Sequence, residues 1–380
     1  MLFLKKIKIL LALMQLDIGG AETHVVELAK ELKRRGYDVF VASKGGSYEK
    51  EITDEGIKHF TVPLQNKNPL NVIKSVKLLK SVIKDNNIDI VHSHARIPSF
   101  ILGKLKNRMG FPFVTTAHWV FSTKFGLKYI TDWGEKTIAV SEDIKKYLMD
   151  NYKIPEKDIF VTINGIDTEK FSPDTECGDV KREFGISDSD FCICAVSRMD
   201  EDRSLASKML IKLAPELKKE IPNLKILVAG GGNDEENAKA LAAEANKKAG
   251  DGTVVLAGAR TDINKIVACG DMFVGVSRAA LEAMAAGKNT VVAGNEGYIG
   301  LFDENRLQVG IDTNFCCRDC AETTEKAIYD DIMKYYGKSD EEKQKMSEYC
   351  RDIVKKYYSV AKMADDCEAA YNSLGIRNGD

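Results

Sequence analysis

The sequence predicts an α/β fold of two domains, each a Rossmann-like parallel sheet crossed by helices. Short apolar runs alternate with longer segments of helical period along the chain. The series breaks after residue 163 and restarts near Phe191. A length of 380 residues suits two cores at roughly 150 residues per domain.

Strands of the first half are expected near Ile7 to Met14, Asp38 to Ala42, Ile88 to His92, Phe113 to Ala117, Thr137 to Val140 and Ile159 to Ile163. The opening MLFLKKIKILLALMQLDIGG has the basic and apolar regions of a signal peptide. It lacks a small-residue cleavage site and runs straight into GGAETH, so it is expected to form a buried first strand. Residues 69–84 read as an amphipathic helix, with Lys77, Lys80 and Lys84 opposite Val72, Val76, Leu79 and Ile83. Such a face could meet anionic lipid; a solvated helix packed on the sheet explains the same pattern.

INGIDTEKFSPDTECGDV breaks both periods and is expected to hold the interdomain linker. The second series runs through Phe191 to Ser197, Lys225 to Ala229, Thr253 to Ala257, Met272 to Val276 and Thr290 to Ala293. The tail from Ser339 to Leu374 is helical in pattern, interrupted around Tyr357 to Val360. Two such domains facing a central cleft suit a reaction between two ligands.

Hydrophobic residues at 44%, charged residues at 29% and a net charge of −2 fit a soluble globular chain and exclude bulk attraction to nucleic acid. No apolar run reaches the ~18–20 residues of a membrane-spanning helix, so membrane attachment would be peripheral. Nine scattered cysteines without an export signal point to reduced thiols in a cytoplasm. Cys316, Cys317 and Cys320 include one CxxC, but no second pair or nearby histidine completes a zinc set. No metal is expected.

Gly19 and Gly20 end the first strand where a helix begins, and paired glycines let a phosphate approach the N–H groups of a helix start. A tight turn needs the same residues. All five histidines, His24, His59, His92, His94 and His118, lie in the first half, and four of them sit at predicted strand ends or the first helix start. Arg198 follows an apolar strand directly and Arg203 lies nearby, so the two could offset a diphosphate. They could instead pair with Asp200, Glu201 or Asp202, but directly after a buried strand the diphosphate reading is preferred. Glu282 sits among alanines early in a helix, the sole sizeable acceptor there for a ribose diol. The small residues from Leu256 to Ala259, before Arg260, could admit a flat nucleobase.

These motifs, GGAETH, TAHW, AVSEDIKKYL, INGIDTEKFSP and EAMAAG, occur in the order found in glycosyltransferase family 4, which the chain resembles along nearly its whole length. The resemblance implies a GT-B fold, with an acceptor-side domain over residues 1–172 and a nucleotide-sugar domain over 173–357. A final helix, 358–380, would cross back to the first domain.

The resemblance also implies transfer from a nucleoside diphosphate sugar, UDP-linked, to a hydroxyl of a glycan or lipid-linked saccharide, with retention and without cofactor or metal. His118 would reach the donor sugar or acceptor; Glu22, His24, His94 and Arg96 would lie on the acceptor side. Gly19, Gly20, Arg198, Arg203, Ser277, Arg278 and Glu282 would bind the donor, while Asn164, Gly165 and Asp167 would set the hinge. Arg198, Arg203 and the Gly19–Gly20 amides would stabilise the departing phosphate during a front-face reaction. The expected location is the cytoplasm, with peripheral contact at the inner face of the membrane.

The chain departs from the family pattern. Ser197, Arg203 and Ser204 stand for Gly, Lys and Gly, and Arg203 binds phosphate as a planar fork rather than a point charge. The family's first glutamate would fall at Val274, so Ser277 and Arg278 occupy the approach to the sugar, and Glu296, beside Asn295, could stand in for the missing acid. Two alternatives stay open: a nucleotide-sugar epimerase on the same architecture, and a degenerate, non-catalytic partner subunit.

Overall fold

The computed structural model describes residues 6–376. The start of the opening segment (1–5) and the end of the expected final helix (377–380) lie outside them. The main elements of the first half are β1 (Lys8–Ala12), α1 (Gly20–Arg34), β2 (Asp38–Ser43), β3 (Lys58–Thr61), α2 (Pro69–Asp85), β4 (Ile90–Ser93), α3 (Arg96–Met109), β5 (Phe113–Ala117), β6 (Lys136–Ala139) and β7 (Ile159–Val161). The second half contains β8 (Phe191–Val196), α4 (Leu205–Glu220), β9 (Leu224–Ala229), α5 (Glu235–Ala249), β10 (Val254–Gly258), β11 (Met272–Gly275), α6 (Ser277–Ala285), β12 (Asn289–Gly294) and β13 (Gly297–Leu301). Three long helices follow, α7 (Glu325–Tyr336), α8 (Asp340–Tyr357) and α9 (Val360–Asn372).

The chain divides into two units, one of residues 1–165 and 360–380, the other of 166–359. The division falls earlier in the linker than the expected boundary at 172. The return of the chain to the first unit follows a break at Tyr358 and Ser359, between α8 and α9.

The first unit is built on a parallel sheet of order β3-β2-β1-β4-β5-β6-β7. β1 reads as an unbroken apolar run because both of its faces are covered. Ile9 and Leu11 pack with Leu28 and Leu32 of α1. Leu10 and Ala12 face the opposite layer with Leu79 of α2 and Leu102 of α3. Met363, Ala364, Cys367, Ala370 and Tyr371 of α9 complete the first of these layers.

The second unit carries the order β10-β9-β8-β11-β12-β13. Its other strands are parallel, and the last, β13, pairs antiparallel with β12 across the Asn295–Glu296 turn. The sequence reading lacks both β13 and β3. Gly297 and Gly300, both at positive φ, interrupt the apolar pattern of β13, and β3 is a short edge strand whose Lys58 and Thr61 are exposed. In each unit the strand order reverses direction beside the first strand, between β1 and β4 and between β8 and β11. At such a switch point the loops after neighbouring strands diverge and leave a crevice.

Candidate functional site

In the first unit the chain brings four histidines to the carboxyl ends of β1, β4 and β5. His92 is the third residue of β4, His94 follows that strand, His118 follows β5, and His24 lies in the first turns of α1. The His24 ring centroid is 4.7 Å from that of His118 and 5.8 Å from that of His94; His92 and His94 are 4.1 Å apart. His94 Nδ1 and His118 Nε2 are hydrogen-bonded at 3.1 Å. His92 is anchored on both sides, by the Tyr371 hydroxyl at 2.8 Å and the Thr116 hydroxyl at 2.7 Å. His59 stands elsewhere, against Ser43 and Glu49.

Desolvation keeps His92, His94 and His118 neutral, because a buried imidazolium loses its hydration. Burial pushes His118 down to about 4 and His92 down to about 3, with a further push on His92 from His118. His94, flanked by three other imidazoles, is held well below the ordinary value. One nitrogen from each of His24, His94 and His118 lies within 4.8 Å of the others. The cysteines form no comparable group among the described residues, and all nine are free thiols.

The paired glycines open α1, with Gly19 as an extended N-cap. A side chain at Gly19 would collide with the carboxylate of Glu22, which folds back over the helix start. The chain's own acid thus occupies the positive end where a phosphate was expected. Arg96 turns into its own unit: it donates to the Ser122 carbonyl at 2.9 Å and lies over the Phe121 ring at 4.9 Å. That geometry makes it a fastener of the loop after β5.

In the second unit Arg198 follows β8 and pairs with Asp200 at 2.5 Å, its side chain still 64% exposed. Arg203 is exposed on the same loop. Asp200 organises this loop: its carboxylate accepts from Asn233 N at 3.1 Å, and its carbonyl accepts from the Ser204 hydroxyl at 2.7 Å. Ser197 is bonded to Ser207.

The loop rests on Gly230, Gly231 and Gly232, which the sequence reading passed over. A side chain at Gly230 would strike the Ser197 carbonyl, one at Gly232 would strike Met199, and Gly230 has φ +144°. Three consecutive glycines directly after an apolar strand were the available signal.

β11 passes into α6 through Val276 alone. Val274 is fully buried inside β11, so an acid at that position would point into the core. Ser277 enters the helix with φ +58°, an uncommon conformation for a residue other than glycine, and its N–H bonds the Phe315 carbonyl at 2.7 Å. Arg278 donates to Glu282 at 2.8 Å, and Glu282 is only 8% exposed. Glu296 is engaged by Arg318 at 2.9 Å, and Asn295 caps the start of α4 through Leu205 N, so neither is an uncommitted stand-in for the missing acid. Arg260 is tied to Glu183 and Asp262.

The linker residues serve local geometry. Asp167 accepts from Glu169 N and Lys170 N, and Asn164 is half-buried beside it. Gly165 lies against α9, where a side chain would press on Met363 and Val360.

Residues 18–170 match the profile of Glycosyltransferase Family 4, and residues 190–328 that of Glycosyl transferases group 1. Over 321 residues the chain is 26% identical to the UDP-Gal:alpha-D-GlcNAc-diphosphoundecaprenol alpha-1,3-galactosyltransferase of Escherichia coli, covering 77% of this chain and 80% of that one. It is 30% identical over 162 residues to an uncharacterized glycosyltransferase of Methanocaldococcus jannaschii. That stretch is 40% of this chain and 44% of its relative, less than half its length. Among solved structures, a glycosyltransferase from Rickettsia africae superposes with a TM-score of 0.76 at 23% identity, over 98% of this chain and 100% of that one.

Proposed function

The chain belongs to glycosyltransferase family 4, with the two-domain GT-B fold, and we propose that it moves a hexosyl or N-acetylhexosaminyl group from a UDP-sugar to a hydroxyl acceptor. The acceptor in this reading is a glycan or lipid-linked saccharide, in keeping with the acceptor named for the Escherichia coli relative. The second unit takes the donor and the first unit the acceptor.

One observation carries the proposal: Glu282, buried in the first turns of α6 at the switch point of its sheet, is held by Arg278. A ribose diol can replace that guanidinium as the carboxylate's partner. The displaced Arg278, with Arg198 and Arg203, then meets the diphosphate. Guanidiniums bind phosphate oxygens in planar, bidentate fashion and stabilise the charge that develops on the leaving group, so no metal is needed there. The incoming hydroxyl attacks from the face the phosphate leaves, its proton passing to the departing phosphate oxygen, and configuration is retained. Peripheral contact with an anionic membrane, at the exposed face of α2, would bring the enzyme to a lipid-linked acceptor.

A panel of nucleotide sugars with purified protein, scored by nucleoside diphosphate release with and without cell lipid extract, tests the reading. Glu282→Ala should weaken UDP binding by about ten- to a hundredfold, the worth of charged hydrogen bonds. His118→Ala should leave UDP affinity within about twofold yet slow transfer by ~100-fold, the scale expected when a group that positions the sugar or the acceptor hydroxyl is lost. Undiminished UDP affinity in Glu282→Ala would overturn the donor site. An isomerised free nucleotide sugar without acceptor would replace transfer by epimerisation.

A further inference from the structure

We propose that His24, His94 and His118 form a binding site for a divalent transition-metal ion of the zinc class in the first unit. The three residues come from three separate elements: the start of α1, the residue after β4 and the residue after β5. One ring nitrogen of each lies within 4.8 Å of the others. The His94–His118 separation of 3.1 Å is close to the ~3.3 Å that two nitrogens keep around a tetrahedral ion with bonds of about 2.0–2.1 Å. His24 then has to move inward by up to about 1.5 Å, with rotation of the rings, to complete the set.

A second observation points the same way. His94 is 3% exposed, and its Nε2 has no hydrogen-bond partner among the described residues. A buried polar atom left in this way costs stability, and a ligand at the cluster lets the ring reorient so that both nitrogens are used. Neutral imidazole is the form that ligates. Behind it His92 lies against His94 at a tilt and is fixed by Tyr371 and Thr116, which supports the ring from the rear. His118 is half-buried and opens the cluster to solvent, leaving a fourth position for water or an anion. The donor set holds no thiolate and no carboxylate, which suits Zn²⁺, Co²⁺, Ni²⁺ or Cu²⁺ rather than Mg²⁺ or Ca²⁺.

A bound ion takes the lone pairs of His94 and His118, so it should inhibit sugar transfer. This inhibition, unlike the binding itself, rests on the transferase reading.

The test uses the tag-free full chain, stripped with chelator and titrated with Co²⁺. The expected result is one ion per chain, a visible d–d spectrum without thiolate-to-cobalt charge transfer, and displacement by Zn²⁺. His24→Gln and His94→Gln should each weaken Co²⁺ binding at least about tenfold, while His59→Gln should change it less than about twofold. Circular dichroism of each variant in chelator verifies folding; if His94→Gln fails to fold, His118→Gln takes its place. Absence of a d–d spectrum, a thiolate charge-transfer band, or Co²⁺ affinity unmoved by the cluster variants overturns the site. None of these readouts needs a sugar donor, so failure here is separable from failure of the transferase reading.

Discussion

Burial, not pairing with acids, holds His92, His94 and His118 neutral, and this has a consequence for stability. In the unfolded chain each imidazole takes a proton below pH ~6.5. In the folded chain His118 stays neutral down to about 4 and His92 down to about 3. The unfolded state therefore binds more protons between these limits, and acid destabilises the fold by ~1.4 kcal/mol per pH unit for each histidine, flattening below the folded values. From pH 7 to pH 5 the two should remove roughly 4 kcal/mol, read as a fall in the urea midpoint with chelator present. His118→Gln should reduce that dependence, and equal midpoints at the two pH values would contradict it. The sequence placed these residues at one sheet edge, because strand ends are legible from apolar runs. It favoured an acceptor-side role for Arg96 and a diphosphate-binding role for Arg198, and showed neither local partner. Their partners, the Ser122 carbonyl and Asp200, are set by loop geometry that no local pattern encodes.

At the scale of elements, α2 joins a regular pattern to an unusual surface. Asn68 caps it and Pro69 opens it, so the helix start is fixed by local chemistry. Leu79, Val82 and Ile83 pack inward, while Lys74, Lys77, Lys80 and Lys84 are exposed along the outer face. At the head of the same face Leu70 is 76% and Ile73 67% exposed. Among the described residues no ion pair engages these lysines. Each lysine near an anionic surface contributes about 1 kcal/mol, screened by salt, and the two apolar side chains add shallow insertion. Vesicles containing phosphatidylglycerol should therefore co-float the protein at low salt. Lys77→Glu with Lys80→Glu should release it, and binding that survives both changes would remove the membrane contact. The glycine run after β9 illustrates the opposite case. Three glycines were visible, but the need for Gly230 and Gly232 became evident only from the Ser197 and Met199 backbones lying where side chains would go.

At the scale of the whole molecule, the last helix determines whether the first unit holds together. Met363, Ala364, Cys367, Ala370 and Tyr371 are fully or almost fully buried in its core, and Arg35 bonds Asp365 and Glu368. At about 1.5–3 kcal/mol for each large apolar side chain buried, their loss removes a large part of a domain's 5–15 kcal/mol. A chain ending at Ser359 should lose the thermal transition of the first unit and keep that of residues 166–359; calorimetry showing both transitions unchanged would refute this. The sequence by itself determined the two-sheet α/β class, the positions of most strands along the chain, the broken helical tail and the family, because hydrophobic period and short motifs are local properties of the chain. It missed β3 and β13, whose polar or glycine-rich residues owe their pairing to a neighbouring strand. Only the tertiary structure decided that Glu282 is held by Arg278, that Glu22 covers Gly19 and that three histidines converge. These are contacts between side chains set by how helices and loops leave a sheet, and distance in space is not written in spacing along the chain.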